Sequence, residues 1–292
     1  MSNAVSRLAI GTAQFGMDYG VANAAGKLPI EAARAVLDIA RDSQIDTVDT
    51  AIAYGASQRT LGEIGVQGLR VVTKLPAFVE SETDIGTWVR RAVSGALDEL
   101  GLPSIYGLML HNANDLAGPH GPAIYRELHD LRESGVIRKV GVSIYDPEEL
   151  GQFGDYKLDL VQAPYNVLDR RVADSGWLDR LVDRGVEIHT RSVFLQGLVL
   201  MNDQARPAYF DTWADQLRDW DEWCRAHAVT PLEAALGFVL SDDRVDRVLV
   251  GVDGPAQLVE IVAAAQHSER VPQFDGAAIG DLALVNPSLW KV

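Results

Sequence analysis

The sequence predicts an α/β protein: a single (β/α)8 barrel of the TIM type, residues 1–292 as one catalytic domain, with lid loops at the C-terminal face of the strands. Three observations predict it. Short apolar or β-branched runs alternate with longer stretches of helical period, the pattern of βαβ units and a parallel sheet. The runs number eight, the count that closes a barrel, and 292 residues is an ordinary length for one. The rival, an open doubly wound sheet, wants a glycine-rich turn after its first strand, and "GTAQFGMDYG" is not G-x-G-x-x-G.

In order, the strand candidates are "RLAIGTA", "DTVDTA", "RVVTKLP", "YGLMLHN", "KVGVSIY", "LDLVQAPY", "VEIHTRSV" and "RVLVGV". Between them stand "LPIEAARAVLDIARDSQ", "SETDIGTWVRRAVSGALDELG" and "AIYRELHDLRESG", the last two ending in a glycine suited to a left-handed cap. "DPEELGQFG", "WLDRLVDRG", "TPLEAALGFVLSDD" and "DGPAQLVEIVAAAQ" continue the series. Parallel strands need crossovers of this size. Two segments stand outside the repeat: "FLQGLVLMNDQARPAYFDT" after the seventh strand, and the tail from Arg270 to Val292. Long excursions on this face of a barrel serve as substrate or cofactor lids, and surface packing is the equal alternative for the tail.

Hydrophobic residues make up 47% and charged residues 23%, enough apolar side chain for a large core. The net charge of −15 argues against nucleic acid or an anionic membrane as partner. The one cysteine, Cys224, excludes an intramolecular disulfide and reads as a helix-packing thiol. The start lacks a signal peptide's apolar core, and no apolar run reaches the roughly 18 residues that span a bilayer, so a cytoplasmic location is expected.

Catalytic groups of a parallel barrel come from the C-terminal ends of several strands. Those ends carry Asp49 and Tyr54 after the second strand, Lys74 at the end of the third and His111 at the end of the fourth. A carboxylate inside an apolar run is costly unless paired. Asp49 would hold Lys74, and the ammonium would draw the Tyr54 phenol down from its ordinary value, making it a proton donor near neutral pH. A neutral His111 would orient a substrate oxygen. The set suits protonation of a carbonyl oxygen while hydride reaches its carbon. No metal-binding cluster is present, and no Ser or Cys stands beside a base in a hydrolase elbow.

These segments, with "GTAQFG", "DTAIAYG", "VVTKL", "LMLHN", "VGVSIY", "LVQAPYNVLDRR", "SVFLQGL" and "VLVGVDGPAQLVE" in order, resemble the aldo-keto reductase family across essentially the whole chain. The resemblance implies a nicotinamide dinucleotide lying across the barrel mouth, with Tyr54 as general acid of the tetrad Asp49, Tyr54, Lys74 and His111. It further implies that Gly11, Thr12, Ala13 and Asp49 line the cofactor, that Ser143 and Gln162 hold the carboxamide, and that Ser192 lies beside the phosphates. Gln257 and Glu260 match positions at the adenosine end.

Several positions depart from the family pattern. The family's Ser-Asn pair reads Ser143-Ile144, leaving one carboxamide contact to be supplied elsewhere, with Asn166 as the candidate. Arg191 matches the aromatic residue that stacks on the nicotinamide, and an arginine can stack or pair with an anion. Around Gly251, Asp253 stands where NADPH-preferring members carry cationic or hydroxyl donors. A carboxylate repels a 2′-phosphate and accepts from a ribose hydroxyl, which favours NAD(H) over NADP(H). Phe15, Tyr19, Asn112, Tyr145 and Asn166 are the substrate-contact candidates, with Asp18, Phe194 and the lid up to Phe210 beside them. This hydrophilic set suggests a sugar or sugar-derived aldehyde or ketone as the small-molecule partner. Two alternatives stay open: a redox-neutral epimerisation on retained NAD, and a non-catalytic cofactor-sensing module.

Overall fold

All eight predicted runs are strands, and hydrogen bonding closes them into one ring in sequence order. They are β1 (Leu8–Gly11), β2 (Thr47–Asp49), β3 (Arg70–Leu75), β4 (Ile105–Leu110), β5 (Ile137–Ser143), β6 (Leu160–Pro164), β7 (Glu187–Arg191) and β8 (Arg247–Gly251). Every pairing is parallel, and the ring closes between β8 and β1 with Gly251 opposite Gly11. The computed structural model describes residues 3–23, 25–79, 84–154 and 156–291.

Side-chain alternation along each strand divides the core in two. Val48, Val71, Leu108 and Val161 join helix residues such as Val36, Val89 and Leu258 in the main apolar layer between ring and helices. Val72, Met109 and Leu160 form a separate small cluster below Lys74, within the ring. The floor is polar: the Glu187 carboxylate accepts from the Tyr106 hydroxyl at 2.6 Å and from Lys139, and pairs with His189 at 2.7 Å.

The helices follow their punctuation. Asp84 caps the helix Ile85–Leu100 by accepting from the Thr87 amide, and Gly101 ends it at φ 63°. The predicted lead-in Ser81–Thr83 lies outside the described residues. After β5 the chain forms a 3₁₀ helix, Pro147–Phe153, behind an Asp146/Glu149 capping box. Three helices follow β2 and β7: Ser57–Ile64, Ala214–Ala226 and Pro231–Leu240. The last is buried from Ala234 to Leu240 because the tail residue Val271 lies against Gly237 on one side and the preceding helix flanks another. Cys224 is a buried packing residue, its thiol pushed up to about 12 by burial. Among the described residues no helix is long and apolar enough to cross a membrane.

The tail packs rather than roofs. Ile279 donates its amide to Leu168 O, Trp290 meets Phe210 edge-on at 4.8 Å, and Trp213 Nε1 donates to Asp281. None of its described residues lines the cavity at the barrel mouth.

Candidate active site

β2 ends at Asp49 and β3 carries Lys74 beside its end, and both side chains enter the ring. Lys74 Nζ donates to Asp49 Oδ1 at 2.5 Å and to Thr50 O at 3.0 Å. From β6, Gln162 Nε2 donates to Asp49 Oδ2 at 2.8 Å, so both carboxylate oxygens are satisfied. The pair is 1% and 2% exposed, which removes solvent screening and makes these hydrogen bonds the condition for its burial. Behind it, Ser57 Oγ bridges Thr12 and Thr50 at 2.9 and 3.0 Å. This hydroxyl group also anchors the turn that carries Tyr54, whose carbonyl accepts from the Ser57 amide.

Tyr54 projects into the cavity with its ring against two partners: Lys74 Nζ at 5.1 Å from the centroid, and the His111 ring edge-on at 5.7 Å. The expectation that Lys74 lowers the phenol's pKa is corrected. Burial first, and the Asp49 carboxylate second, push Tyr54 above its ordinary range, and Arg191 is the cation that opposes them. Lys74 is engaged by Asp49 in contact, and it is the Asp49 carboxylate rather than the ammonium that acts on the phenol. The hydroxyl is therefore protonated at neutral pH, as a proton donor must be.

Burial, then the Lys74 charge, hold the His111 imidazole down to about 4 from an ordinary 6.5. It is neutral above that value, free to donate or accept. Unfolding lets it take up a proton between those values, so stability falls as pH is lowered from 6.5 toward 4 and levels below. Thermal unfolding across this window is expected to show a shallower acid slope for His111→Gln than for the unaltered protein; parallel curves would contradict the assignment.

The cavity above these groups has a volume of about 460 Å³, within the range of small-molecule sites. It brings together Gly11, Thr12, Ala13, Asp49, Tyr54, Gln162, Arg191, Ser192, Gly251, Asp253, Gln257 and Glu260, all singled out from sequence, together with Tyr19. Lys74, His111 and Ser143 stand outside its wall; Ser143 Oγ lies 3.4 Å from Gln162 Oε1. Four substrate candidates do not line this cavity. Phe15 is fully buried, because the short helix Ala13–Gly16 turns it into the core. Asn166 is fully buried: its oxygen accepts from the Leu168 and Asp169 amides and its nitrogen donates to Ser192 O, so it is a turn clamp and not the missing carboxamide contact. Asn112 donates to Asp115 at 2.7 Å, and Tyr145 underlies Arg191 rather than lining the cavity.

Sequence reasoning missed Gln14, Asn23 and Thr230 in the wall, and named Gln196 only as part of the lid. Gln196 belongs to the lid after β7, where Ser192, Leu195, Gln196 and Gly197 all have positive φ, at 59°, 44°, 52° and 93°. Such clustering of strained backbone marks functional sites. The lid meets the β1 loop: Ala22 N donates to Gln196 O, and Gln196 Nε2 lies 3.4 Å from the Tyr19 hydroxyl. A side chain at Gly197 would stand 2.5 Å from the Ala22 methyl carbon, so only glycine allows the two loops to touch.

The sequence matches the profile of the Aldo/keto reductase family over residues 7–278. The chain belongs to this family. As an aldo-keto reductase it is 26% identical over 193 residues to the NADH-specific methylglyoxal reductase of Escherichia coli K12, covering 60% of this chain and 59% of the relative. That match spans about three fifths of the relative's length. It is 26% identical to the D-threo-aldose 1-dehydrogenase of a Pseudomonas species over 86% of this chain and 89% of that one. Among solved structures, the holo form of an aldo-keto reductase from Bacillus halodurans shares the fold at a TM-score of 0.69 and 21% identity, covering 92% of this chain and 94% of that one.

Proposed function

We propose that this aldo-keto reductase transfers hydride between NAD(H) and a hydroxylated aldehyde or ketone, a sugar or a sugar-derived carbonyl, with Tyr54 as general acid. The observation that carries the chemistry is the protonated, half-buried Tyr54 phenol over a fully satisfied Asp49–Lys74 pair, beside a neutral imidazole. A phenol so placed protonates the carbonyl oxygen as charge develops on it, and His111 orients the same oxygen.

The cavity's chemistry fits a nicotinamide dinucleotide. Gly11 and Gly251, paired across β1 and β8, leave its wall bare of side chain beside Gln14. Gln162 and Arg191 line the same cavity as Tyr54, and Ser192 opens the lid. When bound, the dinucleotide supplies the hydride; the chain's residues hold it, exclude water and deliver the proton. Asp253 and Glu260 are both carboxylates, and Arg191 is the one cation lining the cavity among the described residues. A 2′-phosphate would meet two like charges there, which supports NAD(H). Two relatives agree in part: one is named NADH-specific, another acts on aldoses.

The test is loss of absorbance at the reduced-nicotinamide band with NADH and NADPH separately, across aldoses and small hydroxyaldehydes. Turnover on none of them, or only with NADPH, would sink the reading. Asp253→Ser is expected to raise NADPH affinity relative to NADH by about tenfold, roughly 1.4 kcal/mol. Fluorescence titration measures it, and an unchanged ratio would show that Asp253 does not choose the cofactor.

A further inference from the structure

Arg191 closes β7 and lines the same cavity as Tyr54, on whose phenol its charge acts, and its guanidinium is held in one orientation. Nη2 donates to Ile144 O at 2.9 Å, Nη1 donates to Ser192 Oγ at 3.3 Å, and one face rests on the Tyr145 ring at 4.3 Å from its centroid. With an edge and a face committed to protein, it presents the cavity with a flat, fixed cation rather than a mobile anion clamp. Among the described residues it forms no ion pair.

The local charge count sharpens this. Asp49 and Lys74 form a contact ion pair of no net charge, and His111 is neutral. The remaining carboxylates of the wall, Asp253 and Glu260, belong to β8's loop and the helix Pro255–Gln266, not to the Tyr54 side. The part of the cavity around Tyr54 therefore carries one surplus positive charge, supplied by Arg191. The nicotinamide ring is a cation when oxidised and neutral when reduced. A fixed charge in contact with it acts on one redox state and not the other.

We propose that Arg191 is a redox-discriminating residue, holding the reduced, neutral nicotinamide more tightly than the oxidised, cationic ring. The inference rests on the reading of the cavity as a nicotinamide site. Its consequence is directional: the enzyme loads with NADH, and NAD⁺ once bound is a stronger hydride acceptor than in solution. The same charge stabilises the oxyanion that develops when a carbonyl is reduced beside Tyr54.

The experiment is equilibrium titration of the intact protein with NADH and with NAD⁺, by quenching of its tryptophan fluorescence and by calorimetry. The unaltered protein is expected to bind NADH at least tenfold more tightly than NAD⁺. Arg191→Gln should shrink that ratio about tenfold, mainly through tighter NAD⁺ binding, a change of about 30 mV in the bound couple's potential. Arg191→Lys keeps the charge and should keep most of the ratio, whereas a merely structural role would weaken both nucleotides alike. A ratio near one in the unaltered protein, or a ratio unmoved in Arg191→Gln, overturns the inference alone. Failure of both dinucleotides to bind the unaltered protein overturns the reading of the cavity and the inference with it.

Discussion

Tyr54→Phe is expected to lower kcat/KM for carbonyl reduction by about 10²–10⁴-fold with little change in thermal stability. The substitution deletes one oxygen. Among the described residues that oxygen has no hydrogen-bond partner, so its loss strands no buried donor or acceptor. The ring keeps its contacts with Lys74 and the His111 edge, because both are made by carbon atoms of the phenol. Dinucleotide binding should survive, which separates loss of the proton donor from loss of the site. Steady-state kinetics with NADH, paired with a melting curve and a binding titration, reads all three quantities. Turnover at the unaltered rate would remove Tyr54 from the mechanism and leave water or His111 as the donor.

Burial is a reason to propose Tyr54 rather than Lys74 as the acid. Burial pulls the Lys74 ammonium below its ordinary value, the Asp49 contact opposes this only in part, and its hydrogen bonds go to Asp49 and Thr50. It is thereby spent. Lys74 fixes the carboxylate and supports the Tyr54 ring face, and Arg191 is left to act on the phenol at longer range. The site separates its two cations: one compensated and structural, one free and facing the cavity.

The division between what could and could not be read in the chain has physical causes. Strand identity was legible because each strand is an apolar run flanked by turn residues, and the order of eight closes only one way. The proximity of the four proposed catalytic residues was legible because a barrel presents strand ends to one mouth, so Asp49, Lys74 and His111 are neighbours as a matter of topology. The helix Ala214–Ala226 was harder: "ADQLRDWDEWCRA" is dominated by charge, with only Leu217, Trp220 and Cys224 turned to the core. Phe15 and Asn166 failed for a different reason. Phe15 lies four residues past the end of β1 and Asn166 two past the end of β6, where a single turn of helix or an Asx turn decides whether a side chain faces mouth or core, and periodicity says nothing about that. The phenol's shift failed likewise, since it depends on which member of a neighbouring pair acts on it.

Gly16→Ala is expected to produce the second large effect, from a residue that touches no ligand. A Cβ at Gly16 would lie 1.8 Å from the Tyr54 carbonyl oxygen and 2.4 Å from the Ser57 nitrogen, inside the hydrogen bond that closes the Tyr54 turn. Backbone on both sides leaves no flexible side chain to yield, so the β1 loop and the Tyr54 turn must separate by more than an ångström. Overpacking of this kind costs about 1–3 kcal/mol. Displacing a catalytic group by about 1 Å costs on the order of a hundredfold in rate. The expected result is a lowered melting temperature together with a kcat reduced about a hundredfold at saturating substrate. Gly151→Ala, at an exposed glycine whose Cβ would meet nothing within 4 Å, is the control and should leave both unchanged. A Gly16→Ala protein that melts lower yet keeps its kcat would show that the Tyr54 turn tolerates the shift. One unchanged in both would show that the two loops are not packed as closely as the Gly16–Tyr54 approach requires.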